Sequence, residues 1–265
     1  MLSPKPSSWS LKERIDLTLE VYYVLPTDVA EPFLTLGQNE SHHLATVNRA
    51  NVGDYFVAVN GKGTAYQCVI EKVAKEVKAR IINKTDAVGE PLFQLTLAVG
   101  IPKKSRFEWV IEKGTELGVA AFAPLITERT TVKESASRTN RLHRIRLAAM
   151  KQSRRSRLPV IEKPLPFEVL CENSAQYDIK VIAHEKQEHR NLDSLFFEAG
   201  KSQGTESPKT GILCVGPEGG FTDEEIAHAK GYGFVDVGLG PRRLRTETAA
   251  LLGACLILDR VGEFG

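Results

Sequence analysis

The sequence predicts a small β domain followed by a larger α/β domain with a mainly parallel sheet. Three observations lead to this fold class. The 265 residues suffice for two modest domains, each with its own core. Residues 21–82 have period-2 or β-branched character, whereas buried strand segments alternate with helical segments beyond residue 91. A content of 42% hydrophobic and 26% charged residues excludes disordered, fibrous and disulfide-stabilised classes.

The first domain is predicted over residues 21–88. Its strand segments are VYYVL, YFVAV, TAYQCVIEKV and EVKARII. Residues 60–63, with the sequence NGKG, predict a hairpin between the second and third segments, because Asn and Gly tolerate the positive φ angles of such turns. A helix-like segment, ESHHLATVNRA, carries Arg49. The polar, turn-rich residues 83–91 indicate the domain boundary.

The second domain is predicted over residues 89–265. Its strand segments are LFQLTLAVGI, AAFAPLI, DIKVIAHE, GILCVGPEGGF and FVDVGLG. Capping boxes at Ser105 and Thr222 open two helices, which end at Gly118 and Gly231. Two further helices are predicted from NRLHRIRLAAMKQS and TAALLGACLILDRV. This alternation predicts a parallel sheet whose two faces are covered by helices.

Targeting and metal-binding features are not expected. Acidic residues interrupt the N-terminal segment, which argues against a secretory signal or transit peptide, and we interpret residues 1–20 as an extension. No run approaches the roughly 18 apolar residues of a membrane-spanning helix, so we expect a cytoplasmic protein without membrane contact. The four cysteines lie far apart and lack a C-x-x-C pattern, so we expect neither disulfides nor a metal site.

Basic residues are concentrated between residues 135 and 161, a segment without any acidic residue. They are Arg138, Arg141, Arg144, Arg146, Lys151, Arg154, Arg155 and Arg157. Guanidinium groups suit bidentate phosphate contacts, so the segment indicates nucleic-acid binding. The alternative is a solvated helix face whose charges pair with acids from elsewhere. The formal charge of the whole chain is only +2 and does not decide between them.

Two turns each follow a predicted strand and precede a predicted helix. They are GPEGGF at residues 216–221 and LGPRRLRTET at residues 239–248. Neither matches a Rossmann or P-loop pattern, but their glycines allow close backbone approach to a ligand at a strand-to-helix crevice. Arginines beside a helix N-terminus oppose its macrodipole, which points to function. The alternatives are a simple tight turn at residues 216–221 and ordinary N-terminal capping by Thr246 and Glu247.

Taken in order, these turns and five earlier segments resemble a known family. The segments are SHHLATVNRA, VGDYFVAVNGKG, KKSRFEWVIEKGTELGV, PLITERTTVK, QSRRSRLP, GPEGGFTDEEI and LGPRRLRTETAA. They are similar to the signature segments of bacterial ribosomal small-subunit RNA uridine-N3 methyltransferases, the RsmE-type branch of the SPOUT class. The resemblance extends from about residue 21 to the C-terminus. Two positions depart from it, because Arg154 replaces a small residue or glycine and Arg243 replaces an aliphatic residue.

The resemblance implies an N-terminal PUA-like β-barrel and a C-terminal SPOUT α/β domain with a trefoil knot. It implies S-adenosylmethionine in the knot, 16S ribosomal RNA or the small ribosomal subunit as substrate, and a homodimer. The implied cofactor-binding residues are Ala183, His184, Glu185, Val215, Gly216, Pro217, Glu218, Gly219, Gly220, Phe221, Leu239, Gly240, Pro241, Leu244, Arg245 and Thr246. The residues expected to contact RNA are Arg49, Lys103, Lys104, Arg129, Arg154, Arg155 and Arg157.

The implied reaction is methylation of uridine N3, and it sets requirements for the catalytic residues. The N3 lone pair is unavailable until its proton leaves, so the protein must stabilise the anion or take the proton. We expect Arg245 to hold the adjacent carbonyl oxygens, and Glu247 to orient that arginine or to receive the proton through water. Glu218 or Glu185 could face the cationic cofactor, or both could be structural. The competing hypotheses are a non-catalytic RNA-binding or ribosome-assembly factor and a SPOUT methyltransferase acting on another RNA.

Overall fold

The computed structural model describes residues 15, 16, 18–101, 106–130, 136–185 and 207–264, with the backbone alone at residues 136–138. The chain divides into two compact units. The first contains the residues up to Glu90 together with Met150–Leu158, and the second contains Pro91–Ala149 and the residues from Pro159 onward. The sequence analysis places residues 150–158 in the second domain, whereas they pack with the first unit.

The first unit is a mixed six-stranded sheet of order β1-β4-β5-β6-β3-β2. The strands are β1 (Val21–Tyr23), β2 (Val29–Ala30), β3 (Phe33–Thr35), β4 (Tyr55–Val59), β5 (Thr64–Lys72) and β6 (Lys78–Asp86). β1 runs parallel to β4, and the other neighbours are antiparallel. The buried side chains of Tyr22, Phe56 and Ile70 belong to its core. The four long strand segments are therefore strands as predicted, and β2 and β3 are additional.

The predicted hairpin joins β4 and β5. The Asn60 side-chain oxygen accepts hydrogen bonds from the backbone N–H groups of Lys62 and Thr64, at 2.8 and 3.1 Å. Gly61 and Gly63 have φ angles of +69° and +107°, which a residue with a Cβ rarely adopts. The helix-like segment forms α1 (Gln38–His42), which continues into a π-helical turn over His43–Val47.

The second unit contains a seven-stranded sheet in which every pairing is parallel. The strands are β7 (Gln94–Gly100), β8 (Ala121–Ile126), β9 (Val160–Ile161), β10 (Leu165–Pro166), β11 (Ile179–Ala183), β12 (Thr210–Val215) and β13 (Val235–Val237). Their order is β10-β8-β7-β12-β11-β13, with β9 paired to β8. The parallel α/β architecture predicted from the alternation of segments is confirmed.

Helices cover both faces of this sheet, because alternate strand residues point to opposite sides. The helices are α2 (Arg106–Leu117), α3 (Ala136–Gln152), α4 (Phe167–Glu172), α5 (Asp223–Gly231) and α6 (Thr246–Arg260). On one face, Leu97 and Leu213 pack in a cluster with residues of α2 and α6. On the other, Ala98 and Cys214 pack in a cluster with residues of α4 and α5.

The helix boundaries agree with the sequence signals where these are described. α2 ends before Gly118, whose φ is +102°, and α5 opens with the predicted Thr222–Glu225 capping box. Ser105 lies outside the described residues. All four cysteines are free thiols, and burial raises the pKa of Cys68 to about 12. Within the described ranges, the structure contains no helix that is both long and apolar enough to cross a membrane.

Candidate active site

Three parallel strands end at one edge of the second sheet and place the two predicted turns side by side. Ala183 at the end of β11 pairs with Val215 of β12 and with Val237 of β13. Because the strands are parallel and in register, the residues that follow them leave the sheet at the same edge. The glycine loop (residues 216–221) follows β12, and the arginine turn (residues 239–245) lies between β13 and α6.

The glycine loop is tightly folded, and a side chain is disfavoured at two of its glycines, at Gly216 for lack of space and at Gly220 because of its backbone conformation. A Cβ on Gly216 would lie 3.0 Å from backbone atoms of Gly220 and Phe221. Gly220 has a φ of +69°, and its N–H donates to the carbonyl of Pro217 at 2.8 Å. Gly100 at the end of β7 is equally confined, since a Cβ there would lie 2.5 Å from Pro217. The residue types therefore follow from the close backbone packing.

Thr246 links the two turns. Its hydroxyl donates to the carbonyl of Gly216 at 3.1 Å, and its side chain is buried. The N-cap residue of α6 is Arg245, which makes no side-chain capping hydrogen bond. Capping by Thr246, one of the sequence-based alternatives, is therefore wrong, because its hydroxyl is directed to the neighbouring loop.

A cavity of about 1370 Å³ opens between the two turns. It is lined by Arg129, Ala183, His184, Glu185, Val215, Gly216, Pro217, Glu218, Gly220, Phe221, Gly238, Leu239, Gly240, Pro241, Arg242, Arg243, Leu244, Arg245, Thr246 and Ala249. Every predicted cofactor-binding residue except Gly219 contributes to this lining. The walls combine backbone groups of the glycine loop, aliphatic side chains and the exposed carboxylates of Glu185 and Glu218.

Two arginines from other elements hold the glycine loop. Arg129 Nη1 donates to the carbonyl of Gly219 at 2.6 Å. Arg106, the first residue of α2, forms an ion pair with Glu218 at 2.9 Å between Nη1 and Oε1. The sequence analysis assigns Arg129 to RNA and gives Arg106 no site role. Their loop partners lie 90 and 112 residues away, so no local pattern signals either contact.

Glu247 is buried in the first turn of α6, with 8% of its surface exposed. Its Oε1 lies 3.6 Å from Nε of Arg106. Oε2 has no hydrogen-bond partner among the described residues. The arginine that Glu247 contacts is thus Arg106, whereas the sequence analysis expects Arg245. An unfilled acceptor on a buried carboxylate is costly to maintain, which favours a functional use.

His184 follows β11 directly and lines the cavity. Its backbone N–H donates to the carbonyl of Val237 at 2.9 Å, and its imidazole Nδ1 lies 3.7 Å from Oδ2 of the buried Asp236. Asp236 also forms an ion pair with Lys230 of α5, at 2.9 Å. The backbone hydrogen bond fixes the position of His184 after β11, whereas its Nδ1 has no hydrogen-bond partner among the described residues.

Comparison with known proteins gives a consistent result over both units. A family model described as an RNA methyltransferase domain matches residues 89–258, and one described as an RNA methyltransferase PUA domain matches residues 36–82. The ribosomal RNA small subunit methyltransferase E of Synechocystis is 34% identical over 94% of this chain and 81% of the relative. This chain belongs to the ribosomal RNA small subunit methyltransferase E family. The member from Bacillus subtilis is 33% identical over 83% of this chain and 87% of its own.

A solved structure of the same family supports the assignment. The ribosomal RNA small subunit methyltransferase E of Neisseria gonorrhoeae, bound to S-adenosylmethionine, matches with a TM-score of 0.79 and 27% identity. The match covers 93% of this chain and 100% of that one. The resemblance found in the sequence is confirmed, as are the PUA-like first domain and the methyltransferase second domain. The trefoil knot stays a prediction, because residues 186–206 lie outside the described part.

The residues expected to contact RNA in this family member fall into distinct environments. Arg49, Arg154 and Arg157 are exposed side chains of the first unit. Arg155 is only 2% exposed, and its guanidinium pairs with Glu90 at 2.8 Å. This corrects the expectation for Arg155, since a buried, paired guanidinium cannot reach a phosphate. Lys103 and Lys104 lie outside the described residues.

Proposed function

We propose that this chain transfers a methyl group from S-adenosylmethionine to N3 of a uridine in 16S ribosomal RNA. The observation that carries the proposal is the cavity of about 1370 Å³ at the joined turns, next to a buried carboxylate and an exposed arginine. The Neisseria relative, which carries this cofactor, supports the choice of methyl donor. The names of the relatives support small-subunit ribosomal RNA as the acceptor.

The cavity walls fit the cofactor's chemistry. The absence of side chains at Gly216 and Gly220 lets a flat heterocycle approach the main chain of the loop closely. Leu239, Leu244 and Ala249 offer an apolar surface for the same ring. When bound, S-adenosylmethionine supplies a methyl group on a cationic sulfur that a nucleophile can displace in line.

The protein's own task is to make uracil N3 nucleophilic. Arg245 lines the cofactor cavity, and it is exposed although the next two residues, at the start of α6, are buried. It can therefore donate to a carbonyl oxygen next to N3. Glu247 receives the N3 proton on its carboxylate, directly or through a water. The N3 lone pair forms the new bond to the methyl carbon, and the electron pair of the broken carbon–sulfur bond stays on sulfur.

RNA binding and assembly complete the proposal. Arg49, Arg154 and Arg157 contact phosphates, and the target uridine must be single-stranded or extruded because pairing buries N3. Ribosomal RNA as substrate places the activity in the cytoplasm. Two copies of the chain form a homodimer, which sedimentation of the purified protein tests directly.

Replacing Arg245 tests whether this residue acts in methyl transfer rather than in cofactor binding. We expect Arg245→Ala to lower methyl transfer by about 100-fold or more, because one donor to a developing oxyanion is worth about 10²–10³ in rate. Binding of S-adenosylmethionine should stay within about threefold by calorimetry. The readouts are transfer of labelled methyl groups to isolated small subunits and nucleoside analysis of the product.

The matched control is Arg260→Ala at the opposite end of α6, where an equally cationic and exposed side chain lies far from the turn in sequence. It should leave both measurements unchanged. Loss of cofactor binding together with activity in Arg245→Ala would contradict the separate roles. Absence of 3-methyluridine in the product of the unaltered enzyme would overturn the proposed function.

A further inference from the structure

A second cavity, of about 660 Å³, adjoins the cofactor cavity. It lies between α2, α3 and the start of α6 and is lined by Arg106, Glu108, Trp109, Glu112, Arg141, Ile145, Arg245, Glu247 and Thr248. Arg245 lines both cavities. A methyltransferase needs adjoining sites for the methyl donor and the methyl acceptor. A residue that lines both cavities meets this requirement. The volume lies within the range of about 300–1,000 Å³ typical of small-molecule sites.

The apolar part of this cavity consists of an exposed aromatic ring on α2 and an isoleucine on α3. Trp109 projects from α2 with 46% of its surface exposed, although its helix neighbours Val110 and Ile111 are fully buried. Ile145 of α3 lies on the same cavity wall. Proteins that hold an extruded base stack it on an exposed aromatic side chain. Trp109 offers such a surface. The helix that carries it is anchored by the buried side chains of Val110 and Ile111.

The polar part of the cavity matches the edge of one base. Two of the three carboxylates in the lining have cationic partners, since Glu108 pairs with Arg141 at 2.8 Å and Glu112 pairs with Lys113 at 2.9 Å. The carboxylate of Glu247 remains, with one unpartnered oxygen among the described residues. Two arginines, Arg106 and Arg245, line the same cavity, and Nε of Arg106 lies 3.6 Å from Oε1 of Glu247. Rotation about the last side-chain bond of a glutamate exchanges its oxygens at low cost, so either can meet a ligand.

We propose that this second cavity receives the extruded uracil and selects it against cytosine. The proposal rests on the proposed function and assigns the base pocket that function requires. The uracil edge presents acceptor, donor and acceptor at O2, N3–H and O4. Two guanidinium groups and the carboxylate of Glu247 complement this order. Cytosine presents a lone pair at N3, which would face the carboxylate unpaired, and leaving such a buried group unsatisfied is unfavourable.

Within this pocket the residues have distinct roles. Trp109 binds the face of the base. Arg106 donates to one carbonyl oxygen of the base, and its contacts to Glu218 and Glu247 also tie the cofactor loop to the carboxylate. Glu247 recognises the N3 proton before removing it, so recognition and catalysis use the same oxygen atoms.

Steady-state kinetics on small ribosomal subunits test the role of Trp109. Trp109→Ala should lower kcat/KM by about 5- to 150-fold, the range expected for one stacked base, whereas Trp109→Phe should retain most activity. Binding of S-adenosylmethionine should be unchanged in both variants. The matched control is Tyr232→Ala, which removes an aromatic ring of 39% exposure outside the cavity and should stay within about twofold of the parent.

Fluorescence tests selectivity without turnover. The chain has two tryptophans, so a Trp9→Phe background leaves Trp109 as the only one. With S-adenosylhomocysteine present, uridine monophosphate should quench Trp109 at a concentration at least about tenfold lower than cytidine monophosphate. Glu247→Gln should reduce this difference, because an amide can also donate to the cytosine N3.

Three outcomes would overturn the pocket assignment. They are full activity in Trp109→Ala, equal quenching by the two nucleotides, and a changed sedimentation coefficient in Trp109→Ala, which would assign the ring to a contact between copies. In each case, formation of 3-methyluridine by the unaltered enzyme shows that the proposed function stands. A parent enzyme that forms none, but still binds the methyl donor, identifies failure of the function itself.

Discussion

Arg155 and Arg154 are adjacent arginines with opposite environments. Arg155 is buried, and its Nε and Nη2 both donate to Oε2 of Glu90, at 3.2 and 2.8 Å. Glu90 is also buried, and its other oxygen accepts from the backbone N–H of Arg157 at 2.7 Å. Arg154 is exposed and has a φ of +59°, a left-handed conformation that glycine adopts without strain.

Because of this difference, we expect the two arginines to respond differently to alanine. Arg155→Ala should lower the free energy of unfolding by about 3–5 kcal/mol, since it leaves the carboxylate of Glu90 buried without its cation. Arg154→Ala should change it by less than about 0.5 kcal/mol, as is usual for exposed positions. Urea denaturation measures both values. Equal effects of the two substitutions would contradict the structural role of Arg155.

The arginine contacts that sequence reasoning did not predict share one property. Arg106, Arg129 and Arg155 all find partners distant in the chain, 112, 90 and 65 residues away. A run of arginines predicts a basic surface, but the sequence does not show which guanidinium turns inward. The glycine loop was predictable because its constraint is local. Gly216 has no space for a Cβ, and Gly220 has a φ of +69°.

At the scale of elements, the glycine loop depends on two close approaches. Gly100 ends β7 against Pro217, and Gly216 faces the backbone of Gly220.

Long strands and helices of both domains were predictable from periodicity, because each buries one complete face or stripe. β2, β9 and β10 were not, since a two-residue strand has no period and is defined by its neighbour alone.

Gly216→Ala tests whether loop packing shapes the cofactor cavity. A Cβ at 3.0 Å from backbone atoms forces the loop to shift, so we expect affinity for S-adenosylmethionine to fall by about tenfold or more. The control is Gly231→Ala at the end of α5, where a Cβ meets nothing within 4 Å and φ is not positive. There the free energy of unfolding should rise by up to about 1 kcal/mol, with cofactor affinity unchanged. Unchanged affinity in Gly216→Ala would show that the loop tolerates displacement.

At the scale of the whole molecule, net charge explains little of the expected RNA affinity. The formal charge is only +2, so the attraction must come from a local excess of cations. Several cations of the first unit are already compensated, such as Lys84 by Glu31 at 2.8 Å and Lys151 by Glu40 at 2.6 Å. The arginines that have no carboxylate partner among the described residues, rather than all basic residues, should then determine how RNA binding depends on salt.

Salt titrations of RNA binding measure this contribution one arginine at a time. Each phosphate contact steepens the slope of log affinity against log salt by about 0.7–0.9. Single substitution of Arg49, Arg154 or Arg157 by alanine should make the slope shallower by that amount, and the triple variant by about 2–3. Lys84→Ala removes an exposed cation that already has a partner, so its slope should match that of the parent. An unchanged slope in the triple variant would show that other cations of the protein contact the RNA, because the slope counts the phosphates that protein cations neutralise.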